Sequence, residues 1–289
     1  RDLSFKVPHG AVVGFIGANG AGKTTTMRIA LGVLDADGGE VRWRGAPVDA
    51  AARRRFGYMP EERGLYKKMK IGEQALYLAQ LKGLSKSEAL ERIKKWFIKF
   101  NMESWWNKKV EELSKGMQQK VQFIATVVHE PELVILDEPM SGLDPLGRRD
   151  VRQLILRLRD RGCTVFFSSH VLSDAEALCS QVAIVVGGRL VSSGHLTDLL
   201  ALRVRGWELV MAGLSREAID RIPGVQRLTQ VGVDRYVLEL PLTPPPEQLL
   251  ASCVAHGASL VSLNPIRDTL EDLFVRQVAA AGTDRGLST

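Results

Sequence analysis

A short segment near the start of the chain combines glycines with a lysine and a threonine at a spacing suited to holding a polyphosphate. Gly17, Gly20 and Gly22 allow positive φ angles, so consecutive backbone N–H groups can turn toward phosphates at a helix N-terminus. Lys23 adds a positive charge for the β- and γ-phosphates, and the Thr24 hydroxyl can bind Mg²⁺. An apolar, strand-like run precedes the segment and a helical pattern follows it, as a phosphate loop requires. The predicted nucleotide-binding residues are Gly17, Ala18, Asn19, Gly20, Ala21, Gly22, Lys23, Thr24 and Thr25.

A pair of carboxylates later in the chain could supply a second metal ligand and a group that activates water. Leu133–Leu136 is a continuous apolar run typical of a parallel strand buried on both faces, and Asp137 and Glu138 follow it directly. Asp137 could hold Mg²⁺ through water, and Glu138 would lie beside the γ-phosphate and polarise the attacking water. Taken alone, a carboxylate pair at a strand end is about as often a solvated turn. After a phosphate loop, it indicates nucleotide hydrolysis.

Further motifs follow in a fixed order, and from about Asp2 to about Leu200 the chain resembles the ATP-binding subunits of ABC transporters. The resemblance implies an α/β phosphate-loop NTPase fold of the ABC ATPase type with a helical subdomain insertion at about 66–130. Pro60–Tyr66 and the additional C-terminal segment are most similar to subunits of small exporters with a separate membrane protein, especially the sodium-efflux and drug-efflux groups. The motifs that carry the resemblance are the phosphate loop, the signature segment Leu113–Gln118, the acidic strand end, the turn Ser141–Asp144, and His170 after Phe166–Ser169.

The resemblance also implies roles for residues far apart in the sequence. Ser114 and Gly116 would cap the signature helix, whose positive N-terminal end would meet the γ-phosphate held by a second copy of the chain. Asp144 would lie across the two-fold axis and connect the two sites. His170 would contact the γ-phosphate and hold the water and the catalytic carboxylate in line. Without the other motifs, such a lone histidine is more often a surface or helix-start residue. ATP and Mg²⁺ are the implied cofactors, and hydrolysis would need a head-to-tail dimer.

The sequence departs from the family pattern at several positions. Lys115 and Met117 flank Gly116 where the family usually has glycine and glutamine, and Met117 lacks the polar amide that glutamine would offer the nucleotide. Glu61 stands where a glutamine commonly binds the metal and water. A carboxylate can still bind Mg²⁺, so we expect Glu61 to be a metal ligand. The alternative is a solvated loop acid.

Two features of the chain's beginning and middle bear on its ligands and partners. The chain opens with Arg1 rather than Met, so we expect an N-terminal truncation that removes the family's adenine-stacking aromatic, and Phe5 is predicted to be a core residue.

Helical periodicity over Ile71–Leu84 and Ala89–Phe100 predicts the helices of the insertion. Its three tryptophans are predicted to be packing residues, with a partner anchor as the alternative, and Tyr66–Lys70 is the predicted contact edge for a permease.

Composition sets broad limits on the function. The chain has 289 residues, of which 45% are hydrophobic and 25% charged, enough for a large and a small domain. Its net charge of +6 is modest and its basic residues are distributed, so no nucleic-acid partner is expected. Cys163, Cys179 and Cys253 show no metal-site spacing and are expected to be reduced. No apolar run approaches the length of a membrane span. Together with this lack of a span, the resemblance to transporter subunits implies a peripheral protein at the cytoplasmic face of the membrane, working with a separate integral membrane permease.

Beyond about Leu202 the pattern changes. Alternating and helical segments in the order βαββαβ predict a small α+β ferredoxin-like domain at 203–281 after an ATP-binding domain at 1–202. This domain would be regulatory or would stabilise a dimer. The predicted segments are strand Trp207–Met211, helix Ser215–Ile222, strands Val225–Val231 and Arg235–Leu240, helix Glu247–His256, strand Ser259–Leu263, helix Thr269–Ala280 and a disordered end Gly282–Thr289.

Other classes of function compete with the transporter interpretation. One is a soluble ABC-type ATPase acting on ribosomes or nucleic acid. Such proteins carry paired cassettes or a long coiled coil in one chain, and this sequence has neither. The other is a nucleotide-binding regulator with little hydrolysis, favoured by Glu61 and Met117 but opposed by Asp137, Glu138 and His170. Substrate and direction of transport are not encoded in these motifs, so export of sodium, a drug or another small solute rests on resemblance alone.

Overall fold

The computed structural model describes residues 2–62, 64–200, 204–213, 224–243, 245–255 and 257–283. The strands are β1 Val12–Ile16, β2 Arg42–Trp43, β3 Ala46–Pro47, β4 Phe56–Met59, β5 Leu133–Leu136, β6 Thr164–Ser169, β7 Gln181–Val186, β8 Arg189–His195, β9 Val204–Ala212, β10 Arg227–Gln230, β11 Arg235–Pro241 and β12 Ser259–Arg267. The helices are α1 Lys23–Ala30, α2 Ala50–Arg54, α3 Ile71–Leu81, α4 Lys86–Lys99, α5 Lys115–Val127, α6 Pro145–Asp160, α7 Leu172–Leu178, α8 Leu196–Leu199, α9 Pro246–Ala255 and α10 Leu270–Thr283.

The central sheet collects strands that are distant in the sequence. Its order is β4-β5-β6-β1-β7-β8, with every neighbouring pair parallel except β7 and β8. Strands β1 and β6 are buried along their whole length, as expected for continuous apolar runs covered on both faces. Parallel strands end at a common edge, so the loops that follow β1, β4, β5 and β6 are brought together. These loops contain the phosphate loop, Glu61, the carboxylate pair and His170, respectively.

The helical insertion has its own hydrophobic core. Ile71 and Ala75 of α3 pack with Ile93 and Phe97 of α4 and with Ile124 of α5. Short 3₁₀ helices at Glu103–Trp105 and Val110–Glu112 connect α4 to α5. The insertion is therefore a subdomain that presents the N-terminus of α5. The tryptophans that pack against this core, as predicted, are Trp96, Trp105 and Trp106.

Capping and glycine placement explain why two helix ends differ from the prediction. Helix α4 begins at Lys86, earlier than predicted, because Ser85 and Glu88 form a capping box. Helix α3 ends at Leu81 rather than Leu84 because Gly83 takes a φ of 94° and the chain turns back onto the Ala79 carbonyl. Local capping residues thus overrode the apolar periodicity on which the prediction relied.

The C-terminal strands form a separate four-stranded antiparallel sheet. Its order, β10-β11-β9-β12, places the first and third strands in the middle, which is the arrangement of a ferredoxin-like domain. Leu209 and Met211 of β9 pack with Leu238 and Leu240 of β11 in its core. The edge strand β12 extends four residues further than predicted, through Pro265, which an edge position tolerates. The predicted helix Ser215–Ile222 lies outside the described residues.

The described residues divide into two compact units. One runs to Leu196 and includes the chain from Gln277, and the other is Thr197–Arg276. The predicted boundary at 202/203 remains a prediction. Gly282 and Thr283, predicted to begin a disordered end, continue α10, and the remainder of that end lies outside the described ranges. Within those ranges, no helix combines the length and apolar character needed to cross a membrane.

Candidate functional site

The loop between β1 and α1 has the backbone geometry of a phosphate cradle. Gly20 and Gly22 have φ angles of 79° and 95°, which residues other than glycine adopt only with backbone strain. Gly17 is required for a different reason, since an added Cβ would lie 2.5 Å from the Val185 carbonyl oxygen of β7. The loop ends at α1, whose free N-terminal N–H groups favour an anion.

Lys23 is nearly buried and faces the loop. Its side chain is only 6% exposed, and its ammonium donates hydrogen bonds to the carbonyl oxygens of Gly17 at 2.7 Å and Ala18 at 3.3 Å. The same ammonium lies 3.2 Å from Oε1 of Glu138. These partners hold the lysine charge at the mouth of the loop.

The carboxylates after β5 are fixed by a serine that sequence reasoning missed. Asp137 and Glu138 are 1% and 7% exposed. Ser168, fully buried in β6, donates its hydroxyl to Asp137 Oδ1 at 2.7 Å and accepts the Glu138 N–H at 2.8 Å. Glu138 has a φ of 48°, an uncommon value for a residue other than glycine. One side chain thus sets the positions of both carboxylates, and no local pattern marks it, because the contact depends on β6 lying beside β5.

His170 follows β6 and meets the catalytic carboxylate predicted from the sequence. Its Nδ1–H donates to Glu138 Oε2 at 2.8 Å, so one oxygen of Glu138 faces His170 and the other faces Lys23. The Ser169 hydroxyl, which bonds the backbone of Val171, steadies the turn after the histidine. Residues from the ends of β1, β5 and β6 are therefore joined at one carboxylate.

The residues predicted to bind metal fit a divalent cation in part. Oδ2 of Asp137 is buried and has no hydrogen-bond partner among the described residues, so a hard cation would satisfy it. Thr24 is partly buried at the first turn of α1. Glu61 is exposed, two residues after β4, whose Met59 carbonyl accepts the Asp137 N–H. Hydroxyl and carboxylate oxygens are the ligand types that Mg²⁺ prefers, and Glu61 is the most solvated of these three residues.

The signature residues form a helix start. Ser114 is the N-cap of α5, as the resemblance implied, and accepts a hydrogen bond from the Met117 N–H at 3.3 Å, so the helix begins at Lys115. Gly116 lies in the first turn, where an added Cβ would meet no other atom. Both Ser114 and Lys115 are exposed. The positive N-terminal end of this helix is therefore exposed to solvent.

Two buried glutamines of α5, also missed from the sequence, hold the loops beside the carboxylates. Gln119 donates to the Pro139 carbonyl at 2.8 Å, and Gln122 donates to the Pro60 carbonyl at 2.9 Å. The loop carrying Glu61 and the loop after Glu138 are therefore tied to the signature helix. The signal was present in the sequence as polar residues on the buried face of an amphipathic helix.

Asp144 acts as a helix cap. Its carboxylate accepts the Gly147 N–H at 2.8 Å, and Pro145 begins α6. The turn Ser141–Asp144 thus connects Glu138 to α6 with Asp144 at the junction.

Comparison with known proteins agrees with this geometry. The family model described as "ABC transporter" matches residues 1–141. An uncharacterized ABC transporter ATP-binding protein of Alkalihalophilus pseudofirmus is 37% identical over 92% of this chain and 99% of its own. The linearmycin resistance ATP-binding protein LnrL of Bacillus subtilis is 29% identical over 95% of this chain and 92% of its own.

A solved structure, titled as the ATP-binding subunit of an ABC transporter, superposes with a TM-score of 0.63 at 34% identity. The match covers 69% of this chain and 85% of that one. The structural match and the near-full-length relative agree on one assignment: the chain belongs to the family of ABC transporter ATP-binding subunits.

Proposed function

We propose that this chain binds MgATP in the phosphate loop and hydrolyses it with Glu138. Family membership itself implies ATP binding, generally with Mg²⁺, and ATP hydrolysis. The position of Glu138 between Lys23 and His170 carries the proposal for this chain, because a base, a phosphate-binding cation and an orienting histidine meet there.

Each residue has a separate task in this mechanism. The loop amides and Lys23 bind the β- and γ-phosphates, for which Lys23 must turn from Glu138 toward the nucleotide. Glu138, freed from that pair, accepts a proton from the attacking water, while His170 fixes the orientation of the carboxylate. Thr24, Asp137 and Glu61 would hold Mg²⁺, which neutralises charge on the phosphate oxygens when bound.

We infer that the active form is a head-to-tail dimer around two MgATP. The exposed N-terminus of α5, with Ser114 and Gly116, has the charge to meet a γ-phosphate presented by a second copy. Asp144 would connect the two sites across the interface. Glu61 and Met117 are expected to alter the strength of metal and nucleotide contacts without replacing the core machinery at Asp137, Glu138 and His170.

A separate integral membrane permease would be the partner, with the chain peripheral at the cytoplasmic face of the membrane. Tyr66–Lys70 is the proposed contact edge, where the ring of exposed Tyr66 packs edge-on against exposed Tyr77. The proposed direction of transport is outward, with sodium, a drug or another small solute as the exported substance. The similarity to a linearmycin resistance protein is in keeping with export. A soluble ATPase acting on ribosomes or nucleic acid is the less favoured alternative.

Affinity purification tests the permease proposal. Tagged full-length protein is recovered from detergent-solubilised membranes, and mass spectrometry identifies the proteins that accompany it. Recovery of a stoichiometric multi-span membrane protein, reduced by Tyr66→Ala but not by Val233→Ala at an exposed hairpin position, supports the proposal. A protein that comes free of membrane partners, or with ribosomal proteins, contradicts it.

A further inference from the structure

An ion pair with a buried carboxylate lies beside the proposed hydrolytic residues. Asp174, only 1% exposed, accepts a hydrogen bond from Nη2 of Arg152. Arg152 belongs to α6 and Asp174 to the first turn of α7. A buried carboxylate is costly without a partner, so the guanidinium is what allows Asp174 to occupy this position as a charged group.

The Asp174 end of the pair connects to His170. Helix α7 starts two residues after the histidine, and its residues Ala175 and Leu178 are buried. The only residues between His170 and Asp174 are Val171, whose backbone bonds Ser169, and two residues of the helix start. The placement of α7 therefore restricts where the His170 backbone can lie.

The Arg152 end of the pair connects to the turn after Glu138. Asp144 caps α6, and Arg148 and Arg152 follow at four-residue intervals, on one face of the helix. A cavity of about 50 Å³ is lined by Arg148, Asp174 and His170, together with Glu138 and residues of the 139–142 turn. The α6 face, α7 and the turn thus surround one small space beside the histidine–glutamate contact.

We propose that Arg152 and Asp174 are positioning residues that couple α6, and with it the Asp144 turn, to His170. The contact joins Nη2 of Arg152 to Oδ1 of Asp174, and the buried Nε of Arg152 has no hydrogen-bond partner within the described part of the chain. A single contact of this kind transmits a shift of α6 to α7 and changes the alignment of His170 against Glu138. This inference rests on the proposed hydrolytic role of Glu138 and His170.

The test compares turnover with nucleotide binding. Arg152→Gln and Asp174→Asn are each expected to lower kcat at saturating MgATP about tenfold, because small misplacements of an orienting group cost rate. The dissociation constant for a fluorescent ATP analogue should stay within about twofold, since neither residue contacts the phosphate loop. Arg152→Lys, which keeps the charge, should recover most of the rate. Arg159→Gln, which removes an arginine from an exposed pair on the same helix, is the matched control.

A double variant tests whether Arg152 and Asp174 act through one contact. Arg152→Gln combined with Asp174→Asn should be no slower than either single change, because the two residues act through one contact. Arg152→Gln leaves the buried Asp174 carboxylate without its partner, so if a single variant does not fold, the double variant, in which no unpaired charge remains, decides by the same comparison of rate and affinity.

The outcomes separate the two proposals. An Arg152→Gln rate within about twofold of wild type overturns the positioning role, as does an equal loss of kcat and nucleotide affinity. His170→Ala is measured in parallel. Wild-type hydrolysis by His170→Ala refutes the proposed function of the histidine, whereas loss of hydrolysis there with an unaffected Arg152→Gln refutes only the positioning role.

Discussion

The ammonium of Lys23 lies 3.2 Å from Oε1 of Glu138, so the cation expected to hold phosphate and the carboxylate expected to activate water are paired with each other. Oε1 is buried but lacks a well-aligned hydrogen bond, which makes this a charge contact more than a hydrogen bond. A triphosphate competes with Glu138 for the lysine. Nucleotide binding and release of the base are therefore expected to be one event.

Glu138→Gln is expected to preserve MgATP binding and to abolish turnover. The amide keeps the shape of the side chain but cannot accept the proton, so phosphate release should fall by about 10²–10⁴-fold. The dimer should then persist with ATP in size-exclusion chromatography. Glu40→Gln, at an exposed ion pair, serves as the control. Rapid turnover by Glu138→Gln would remove this residue from the role of base.

Lys23→Ala should weaken nucleotide binding outright. The variant loses the buried ammonium that the Gly17 and Ala18 carbonyls hold in the loop. A loss of at least about tenfold in affinity, roughly 1.4 kcal/mol, is expected in a titration with a fluorescent ATP analogue. Lys94→Ala, at an exposed position of α4, should bind as wild type does. Equal affinities for the two variants would contradict a phosphate-binding role for Lys23.

Gly17→Ala should damage the same loop by a steric route. The new Cβ would lie 2.5 Å from the Val185 carbonyl oxygen, so the backbone must move. We expect a destabilisation of about 1–3 kcal/mol in urea denaturation, together with weaker ATP binding. Gly38→Ala, which meets no atom within 4 Å, provides a glycine-to-alanine change without that contact. An unaltered Gly17→Ala protein would show that the approach to β7 is not required.

Ser168→Ala tests the residue that joins both carboxylates. It leaves Asp137 Oδ1 and the Glu138 N–H without their partner, at a cost of about 1–3 kcal/mol in the free energy of unfolding. Hydrolysis should also slow, because Glu138 loses its backbone anchor. Ser193→Ala in β8 should change stability by less than about 0.5 kcal/mol. Stability and turnover equal to wild type in Ser168→Ala would rule out the anchoring role.

His129 should make the fold sensitive to mild acid. Burial, aided by the nearby Lys82 charge, lowers the pKa of His129 to about 4. Its Nε2–H donates to the Phe56 carbonyl at 3.2 Å, the same oxygen that the Lys82 ammonium bonds at 3.0 Å. Between about pH 6.5 and pH 4, the unfolded chain takes up a proton at His129 that the folded chain does not, so stability falls as pH falls.

Thermal melting across that window measures the effect. His129→Gln should show a smaller loss of Tm between pH 7 and pH 5 than wild type, although other groups still titrate in both proteins. His195→Gln, at an exposed position of β8, should retain the wild-type slope. Identical slopes for wild type and His129→Gln would contradict the lowered pKa.

Sequence alone predicted the parts of the site that depend on local pattern. The phosphate loop and the strand Leu133–Leu136 required only spacing and periodicity, whereas the signature helix capped by Ser114 came from the resemblance to the family. Ser168 could not be assigned in the same way, because its contacts depend on β6 lying between β1 and β5. The contact between Lys23 and Glu138 is a similar case, since the two residues follow β1 and β5, which are not neighbours in the sheet. The capping box of Ser85 and Glu88, in contrast, can be recognised in the sequence. The predicted start at Ala89 followed the apolar periodicity instead and was therefore too late.

The central strand of the phosphate site pairs with a partner from much later in the chain. Val12 of β1 lies opposite Val165 of β6, and Gln181 of β7 pairs on the other side of β1. During synthesis, a nascent chain that has emerged only through the phosphate loop and α1 has no neighbouring strands to support that loop. Such long-range pairing forms slowly and late. A ribosome-bound fragment that stops before β6 is therefore expected to expose the apolar, aggregation-prone strand β1. Chaperones would matter most during synthesis of the residues between β1 and β6.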